Sequence, residues 1–313
     1  MNDQIMVSVL CLTYNHEPFI RKCLEGFVSQ KTDFPYEVLI HDDASTDKTA
    51  DIIREYEVKY PDIIKPIYQT ENQHSKGVRI TNTYNIPRAK GKYLAWCEGD
   101  DYWCDENKLQ TQFDYMESHP DCTFCAHQAL IKDLYSGNSR PLALFDKTCD
   151  FSFDEVMTSG VRFATNSFFV RKEIHVTMPK LFESKSFGDK QVVMYNTLQG
   201  YCHFIEDTMS VYNFGTPGSF NDNNYFNLKK RCAFLKEQIA LNARVDAYTN
   251  GEHHEALQTD NDRSMYYYHL AHGDFIAVGR KKYKKYYDSE NWSPVKEALA
   301  NRINAIKSIF RKK

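Results

Sequence analysis

No stretch of this chain approaches the run of roughly 18 apolar residues that spans a bilayer, so nothing in it reads as a transmembrane helix. Its opening, "MNDQIMVSVLCLTY", has neither a basic n-region nor a small-residue cleavage site, and no signal peptide is expected. Charge of one sign is lacking too. The 39 Lys and Arg against 42 Asp and Glu leave a net charge of -3, which argues against general nucleic-acid binding. Nine cysteines, an odd number at irregular spacings, make no disulfide framework and fit reduced thiols in a cytoplasmic protein. The "CTFC" pair, Cys122 and Cys125, has no second pair to complete a zinc site, and its apolar neighbours predict a strand with buried thiols. There is no internal repeat and no low-complexity linker. No glycine-rich loop follows the first strand, where "LTYNHEP" stands, which disfavours both a dinucleotide fingerprint and a P-loop.

What is present suffices for a folded core: 42% hydrophobic residues, including 41 Phe and Tyr. The 313 residues allow one large α/β domain with an extension, or two domains. "IMVSVLCLT" is apolar almost throughout, as a strand covered on both faces would be. Residues 17–30 follow with Phe19, Ile20, Cys23, Leu24, Phe27 and Val28 at helical spacing. "YEVLIHDD" is a second strand, and Asp47 is expected to cap a helix carrying Ile52, Ile53 and Tyr56. "IKPIYQT" is a third strand, followed by a weak helix that Pro87 interrupts; "KYLAWCEGDD" is a fourth, and residues 105–119 another helix. The alternation predicts an α/β fold with a mostly parallel sheet and helices on both faces. The expected division is a catalytic domain over 1–220 and a helical C-terminal extension over 221–313.

In such a sheet, ligands sit outside the carboxyl ends of the strands. "TYNHE", "HDDAST" and "EGDD" all stand at such ends. Adjacent carboxylates repel, so either these acids are solvated turn residues or they share a cation. Mg²⁺ and Mn²⁺ take oxygen ligands and are typically held by one or two carboxylates plus substrate phosphates.

Three segments in order, "VSVLCLTYNHEPFIRKCLEGFVSQ", "YEVLIHDDASTDKTADII" and "GKYLAWCEGDDYWCDENKLQTQ", resemble glycosyltransferase family 2. The resemblance covers about the first 215 residues. It implies a GT-A fold, a nucleotide-diphosphate sugar donor (a UDP-sugar is expected), and inversion at the anomeric carbon. By the same resemblance the opening turn with Thr13, Tyr14, Asn15 and Glu17 contacts the nucleotide. Asp43 would contact the base, Asp100 the ribose, Arg79 the diphosphate and Asp101 the Mn²⁺ or Mg²⁺ ion. The general base maps to Asp189 in "FGDKQVVMYNTLQG". Two departures stand out: Ala44 replaces the glycine of the usual DDGSTD, and Gly215 stands where the family often has a histidine.

The chemistry agrees with these roles. A departing diphosphate gains negative charge that a divalent ion offsets, and the attacking hydroxyl needs a carboxylate to accept its proton. Asp43 and Asp189 could instead cap helices, Tyr14 reads as either core or base-stacking, and Trp103 reads as core. His253, His254, His269 and His272 read as exposed helix residues. The expected function is sugar transfer to a hydroxyl of a glycan or lipid-linked acceptor, in polysaccharide or glycoconjugate biosynthesis. The alternatives are a nucleotidyltransferase and a catalytically silent sugar-nucleotide-binding protein. Residues 279–313 carry eleven Lys or Arg against three acids, with "INAIKSIFRKK" alternating on a helical period. This suggests a peripheral contact with the inner face of the membrane; a solvated helix packed on the catalytic domain is the other reading.

Overall fold

The apolar run at the start of the chain becomes β1 (Val7–Thr13), buried at every position but Leu12. α1 (Glu17–Val28) follows and buries Ile20, Cys23, Leu24, Gly26 and Phe27 along one stripe. β2 (Tyr36–Asp42) is buried throughout, and α2 (Thr49–Lys59) packs Ile52, Ile53 and Tyr56 inward. The computed structural model that defines these elements describes residues 4–143, 147–184, 188–219 and 227–286.

β3 (Ile64–Tyr68), β4 (Tyr93–Trp96) and β5 (Tyr102–Trp103) come next, then α3 (Lys108–Ser118) and the long β6 (Cys122–Asp133). β7 (Ser139–Pro141), β8 (Cys149–Phe151), α4 (Phe153–Ser159), β9 (Phe169–Arg171) and α5 (Lys172–His175) are short. α6 (Asp189–Leu198) and the long β10 (Tyr201–Phe214) follow, and three helices end the described chain: α7 (Leu228–Tyr248), α8 (His254–His272) and α9 (Phe275–Val278).

The strands form one sheet in the order β3-β2-β1-β4-β9-β6-β10-β5, with β7 on β6 and β8 on β10. Its first half, β3-β2-β1-β4, is parallel. The second half is mixed: β9 runs antiparallel to both β4 and β6, β6 and β10 are parallel, and β5 is antiparallel to β10. Cys122 and Cys125 are buried free thiols in β6, as the sequence predicts. α2 starts one residue later than expected. Lys48 is its N-cap position, while Asp47 accepts the Thr49 N–H with one oxygen and the Glu17 N–H with the other. The weak helix around Pro87 is a π turn over Thr81–Asn85 continued by a 3₁₀ turn over Ile86–Arg88.

The chain separates into two compact units. The first holds residues 1–153, 161–178 and 189–214, and thus the whole sheet. The second holds 154–160, 179–188 and 215–313. Within it, Arg263 of α8 donates to the Met157 and Thr158 carbonyls, and Arg244 of α7 donates to the Leu181 carbonyl at 2.8 Å. Gly160, at φ +71°, makes room for the first of these: a methyl there would lie 2.6 Å from the Arg263 guanidinium carbon. Tyr266, Leu270, Val278 and Tyr283 form this unit's own apolar cluster.

Candidate active site

The carboxyl ends of β1, β2 and β4 are tied together by backbone bonds. Asp43 N–H donates to the Thr13 carbonyl at 3.0 Å, and Gly99 N–H to the Leu12 carbonyl at 2.8 Å. Glu98, Gly99, Asp100 and Asp101 therefore form a turn beside the end of β1. A side chain at Gly99 would destroy this approach, since a methyl there would lie 2.6 Å from Thr13 Oγ1 and 3.0 Å from His16 Nδ1.

The acids of the turn divide into two kinds. Asp101 is 2% exposed, and both its oxygens are taken: Oδ1 by the Asn213 N–H at 2.8 Å, Oδ2 by the Asn166 amide at 3.1 Å. Asn166 is itself fixed by Ser210, which donates to its Oδ1, and its carbonyl accepts from Trp103 Nε1. Trp103 is thus a core residue, 3% exposed. Asp101 is held well above the ordinary carboxylate range, by burial first and then by Asp100 and Glu98. The Asp100 carboxylate, by contrast, accepts no hydrogen bond from any described residue; only its carbonyl is engaged, by the Asn213 amide at 2.5 Å. Glu98 is pushed up to about 7, by burial first, then by Asp100, with a contribution from Asp189. That last contribution brings Asp189, exposed at the start of α6, within electrostatic reach of the turn.

Glu98 and Asp100 are like charges with no Lys or Arg ion pair among the described residues, and this donor set fits a hard divalent cation. No three His, Cys, Asp or Glu side chains of the described residues converge into a ready-made cage, so a bound ion would keep positions for non-protein oxygens.

The other expected contacts fall into place differently. Tyr14 is 43% exposed, which removes the core reading and leaves its ring free to stack. Asn15, at φ +55°, accepts the Thr46 N–H on Oδ1 at 2.7 Å, and Glu17 accepts the Lys48 N–H at 3.2 Å. Both brace the β1–α1 turn against the β2–α2 turn. Asp43 is buried, and its two oxygens accept the N–H groups of Gln73 and His74 at 2.8 and 3.0 Å. Arg79 donates to Gln191 of α6 at 3.0 Å, which ties the loop after β3 to the helix that Asp189 begins. Gly215 has φ +90°, a conformation a histidine would adopt only with strain. Among the four helix histidines, His254 is exposed and pairs with Asp246, His253 pairs with Asp154, His269 with Asp274, and His272 lies against Cys232.

Sequence reasoning assigned no role to Glu98, Asn166 or His16. Glu98 was within reach, because Glu-Gly-Asp has the spacing of the acidic pair. Asn166 carries no local signal, since it meets Asp101 across 65 positions of chain.

An uncharacterized protein of Mycobacterium tuberculosis is 46% identical over 121 residues, 39% of this chain and 34% of that protein. The chain thus spans about a third of that relative's length. The Escherichia coli UDP-Glc:alpha-D-GlcNAc-diphosphoundecaprenol beta-1,3-glucosyltransferase WfaP is 34% identical over 113 residues, 36% of this chain and 42% of that one. Among solved structures, S. aureus TarS 1-349 in complex with UDP-GlcNAc superposes with a TM-score of 0.61 at 18% identity, covering 96% of this chain and 81% of that one. The mannosyltransferase PcManGT from Pyrobaculum calidifontis, in complex with GDP-Man and Mn²⁺, gives 0.52 at 17% identity, covering 100% and 89%. The shared fold is GT-A. The sequence model for glycosyl transferase family 2 matches residues 8–176, more than half of the chain, and the chain belongs to that family.

Proposed function

We propose that the protein transfers a sugar, with inversion, from a nucleoside-diphosphate donor to a hydroxyl of a glycan or lipid-linked acceptor in glycoconjugate biosynthesis. A UDP-sugar is the expected donor. The observation that carries this reading is the pair of unpaired acids, Glu98 and Asp100, on the turn that Asp189 reaches electrostatically. Glu98 and Asp100 would hold the Mn²⁺ or Mg²⁺ ion, and Asp100 would also face the ribose. A bound divalent ion supplies Lewis-acid stabilisation of the departing diphosphate. Asp101, the expected metal ligand, instead anchors the turn from behind. Tyr14 stacks on the base beside Thr13, Asp43 shapes the base end through the 73–74 backbone, and Arg79 adds positive charge toward the diphosphate. Asn15 and Glu17 hold the nucleotide turn in shape.

On the acceptor side, Asp189 is an exposed carboxylate at a helix start, where it can take the proton of the attacking hydroxyl. Inversion follows if the acceptor enters from the face opposite the diphosphate. TarS with UDP-GlcNAc and PcManGT with GDP-Man and Mn²⁺ support the donor class and the ion. The acceptor named for WfaP supports a lipid-linked substrate, hence a cytoplasmic protein in contact with the inner membrane face. A donor panel with Mn²⁺ tests the reading. Released nucleoside diphosphate is expected; released pyrophosphate would make the protein a nucleotidyltransferase, and binding without turnover a silent relative.

A further inference from the structure

β6 and β10 do not stop where β4 does. Leu94 and Phe124 both stand opposite Val170 of β9, so they lie at one level of the sheet. β4 ends two residues later at Trp96, whereas β6 runs on to Asp133, paired with β10 as far as Phe214. The pair therefore rises alongside the acidic turn, and Asn213 of β10 is the residue that binds Asp101 and holds the Asp100 carbonyl. Just beyond Asn213, the hairpin between β6 and β7 turns through Tyr135, Ser136, Gly137 and Asn138. It is closely pinned. The Asp133 carboxylate accepts the N–H groups of Tyr135 and Ser136 at 2.8 and 3.2 Å, and the Leu134 N–H donates to the Phe214 carbonyl at 2.9 Å. The Tyr135 ring packs edge-on against Phe214, with centroids 6.1 Å apart, yet the residue is 50% exposed. Among the described residues two other aromatic side chains are exposed: Tyr14 sits at the end of β1, and Tyr248 belongs to the second unit.

We propose that Tyr135 is an acceptor subsite, a flat platform on which one sugar ring of a glycan acceptor stacks. The inference rests on the sugar-transfer reading above. Position selects the ligand first. The nucleotide turn belongs to β1 and β2, on one flank of the acidic turn, while the Tyr135 hairpin stands on the other. α6, which carries Asp189, keeps to that second flank too, since Thr123 of β6 donates to its Asn196 carbonyl at 2.6 Å. A group arriving there meets Asp189 rather than the nucleobase. Composition selects next. Residues 135–139 read Tyr-Ser-Gly-Asn-Ser, an aromatic ring among small hydrogen-bonding groups, and all five are exposed. A pyranose has an apolar C–H face and a rim of hydroxyls, which matches a ring edged by Ser136, Asn138 and Ser139. A bilayer would ask for a wider apolar face than one ring. The pinned hairpin and the stiff tyrosine side chain leave little freedom to lose on binding.

An array of immobilised oligosaccharides, probed with the full chain, tests this. The wild type should bind at least one glycan. Titration with that oligosaccharide in solution should then show Tyr135→Ala weaker by about fivefold or more, the worth of one aromatic contact. Tyr135→Phe and Tyr135→Trp keep a flat ring and should bind like the wild type. Tyr135→Leu keeps apolar bulk against Phe214 without a flat face, and should lose as much as the alanine variant. It also stands in if that variant fails to fold. All four variants should bind UDP or GDP with Mg²⁺ as the wild type does, a readout that general damage to the fold would move. Three results overturn the proposal: a wild type that binds no glycan on the array, folded Tyr135→Ala and Tyr135→Leu that bind as tightly as the wild type, or variants that lose nucleotide and glycan together. A wild type that binds glycan through Tyr135 but neither UDP nor GDP overturns the donor reading and leaves the subsite standing.

Discussion

Ala44 takes φ +64°, the left-handed region that the glycine of the usual motif would occupy freely. An L-residue pays roughly 1–2 kcal/mol there, and the extra freedom of glycine in the unfolded chain takes back roughly 0.4–1 kcal/mol. Ala44→Gly should therefore stabilise the fold by up to ~1.6 kcal/mol, seen as a higher urea midpoint; a lower midpoint would contradict the argument. The two acids of the turn make a sharper contrast. Asp101→Ala strands the Asn213 N–H and the Asn166 amide, two buried donors at about 1–3 kcal/mol each. Its melting temperature should fall by several degrees. Asp100→Ala breaks no described side-chain bond and should melt like the wild type, yet lose the stabilisation conferred by nucleoside diphosphate with Mn²⁺. If Asp101→Ala melts normally while Asp100→Ala unfolds, the assignment of anchor and open ligand is reversed. Lys108 offers a pH test. Its ammonium is fully buried beside Gln112 and over the Trp103 ring, and burial lowers it to about 7. Between about 7 and the ordinary lysine value the unfolded chain holds a proton that the folded chain does not, so stability should rise with pH across that window. The slope is ~1.4 kcal/mol per pH unit. Lys108→Met should abolish the rise; a rise that survives would place its source elsewhere.

At the scale of elements, the parallel half of the sheet was legible because each strand and helix there is long enough to carry its own period. β1, β2 and α1 declare themselves through unbroken burial or a clear stripe. β9 and β5, at three and two residues, have no period to read. Only tertiary pairing with β4, β6 and β10 makes them strands, so the expected mostly parallel sheet becomes mixed in its second half. The site was legible to the same extent. Its acids sit at strand ends, but which carboxylate is open depends on Asn166 and Asn213, 65 and 112 positions from Asp101. Asp189 belongs to this scale, since α6 carries it. Among the described residues its oxygen accepts the N–H of the next residue, Lys190, at 2.7 Å, so the helix does not depend on it for a distant bond. Asp189→Asn should keep donor affinity and melting temperature while cutting transfer by about 10²-fold or more. Transfer near the wild-type rate would move the base elsewhere, and lost donor binding would make Asp189 structural.

Over the whole molecule, the near-neutral net charge conceals a division. Residues 279–313 hold eleven basic residues and three acids, or +8; subtracting this from the total of -3 leaves -11 for residues 1–278. Residues from 287 on lie outside the described part, but the start of the segment is within it. Tyr283 is buried in the cluster with Tyr266, while Arg280, Lys282 and Lys284 are exposed around it, Lys282 pairing with Asp262. An anionic bilayer attracts basic groups near its surface by about 1 kcal/mol each, and it repels an acidic body, so attraction and orientation come from one charge pattern. No helix of the described residues is long and apolar enough to cross a membrane; surface attachment is the mode that the charge pattern predicts. The full chain should float with vesicles containing anionic lipid at low salt and stay behind with neutral vesicles. Because the Debye length shrinks to about 3 Å in 1 M salt, high salt should release it. Arg280→Glu with Lys284→Glu should weaken flotation without lowering the melting temperature, since neither position is buried. No flotation at low salt would make the basic segment part of the protein's own packing.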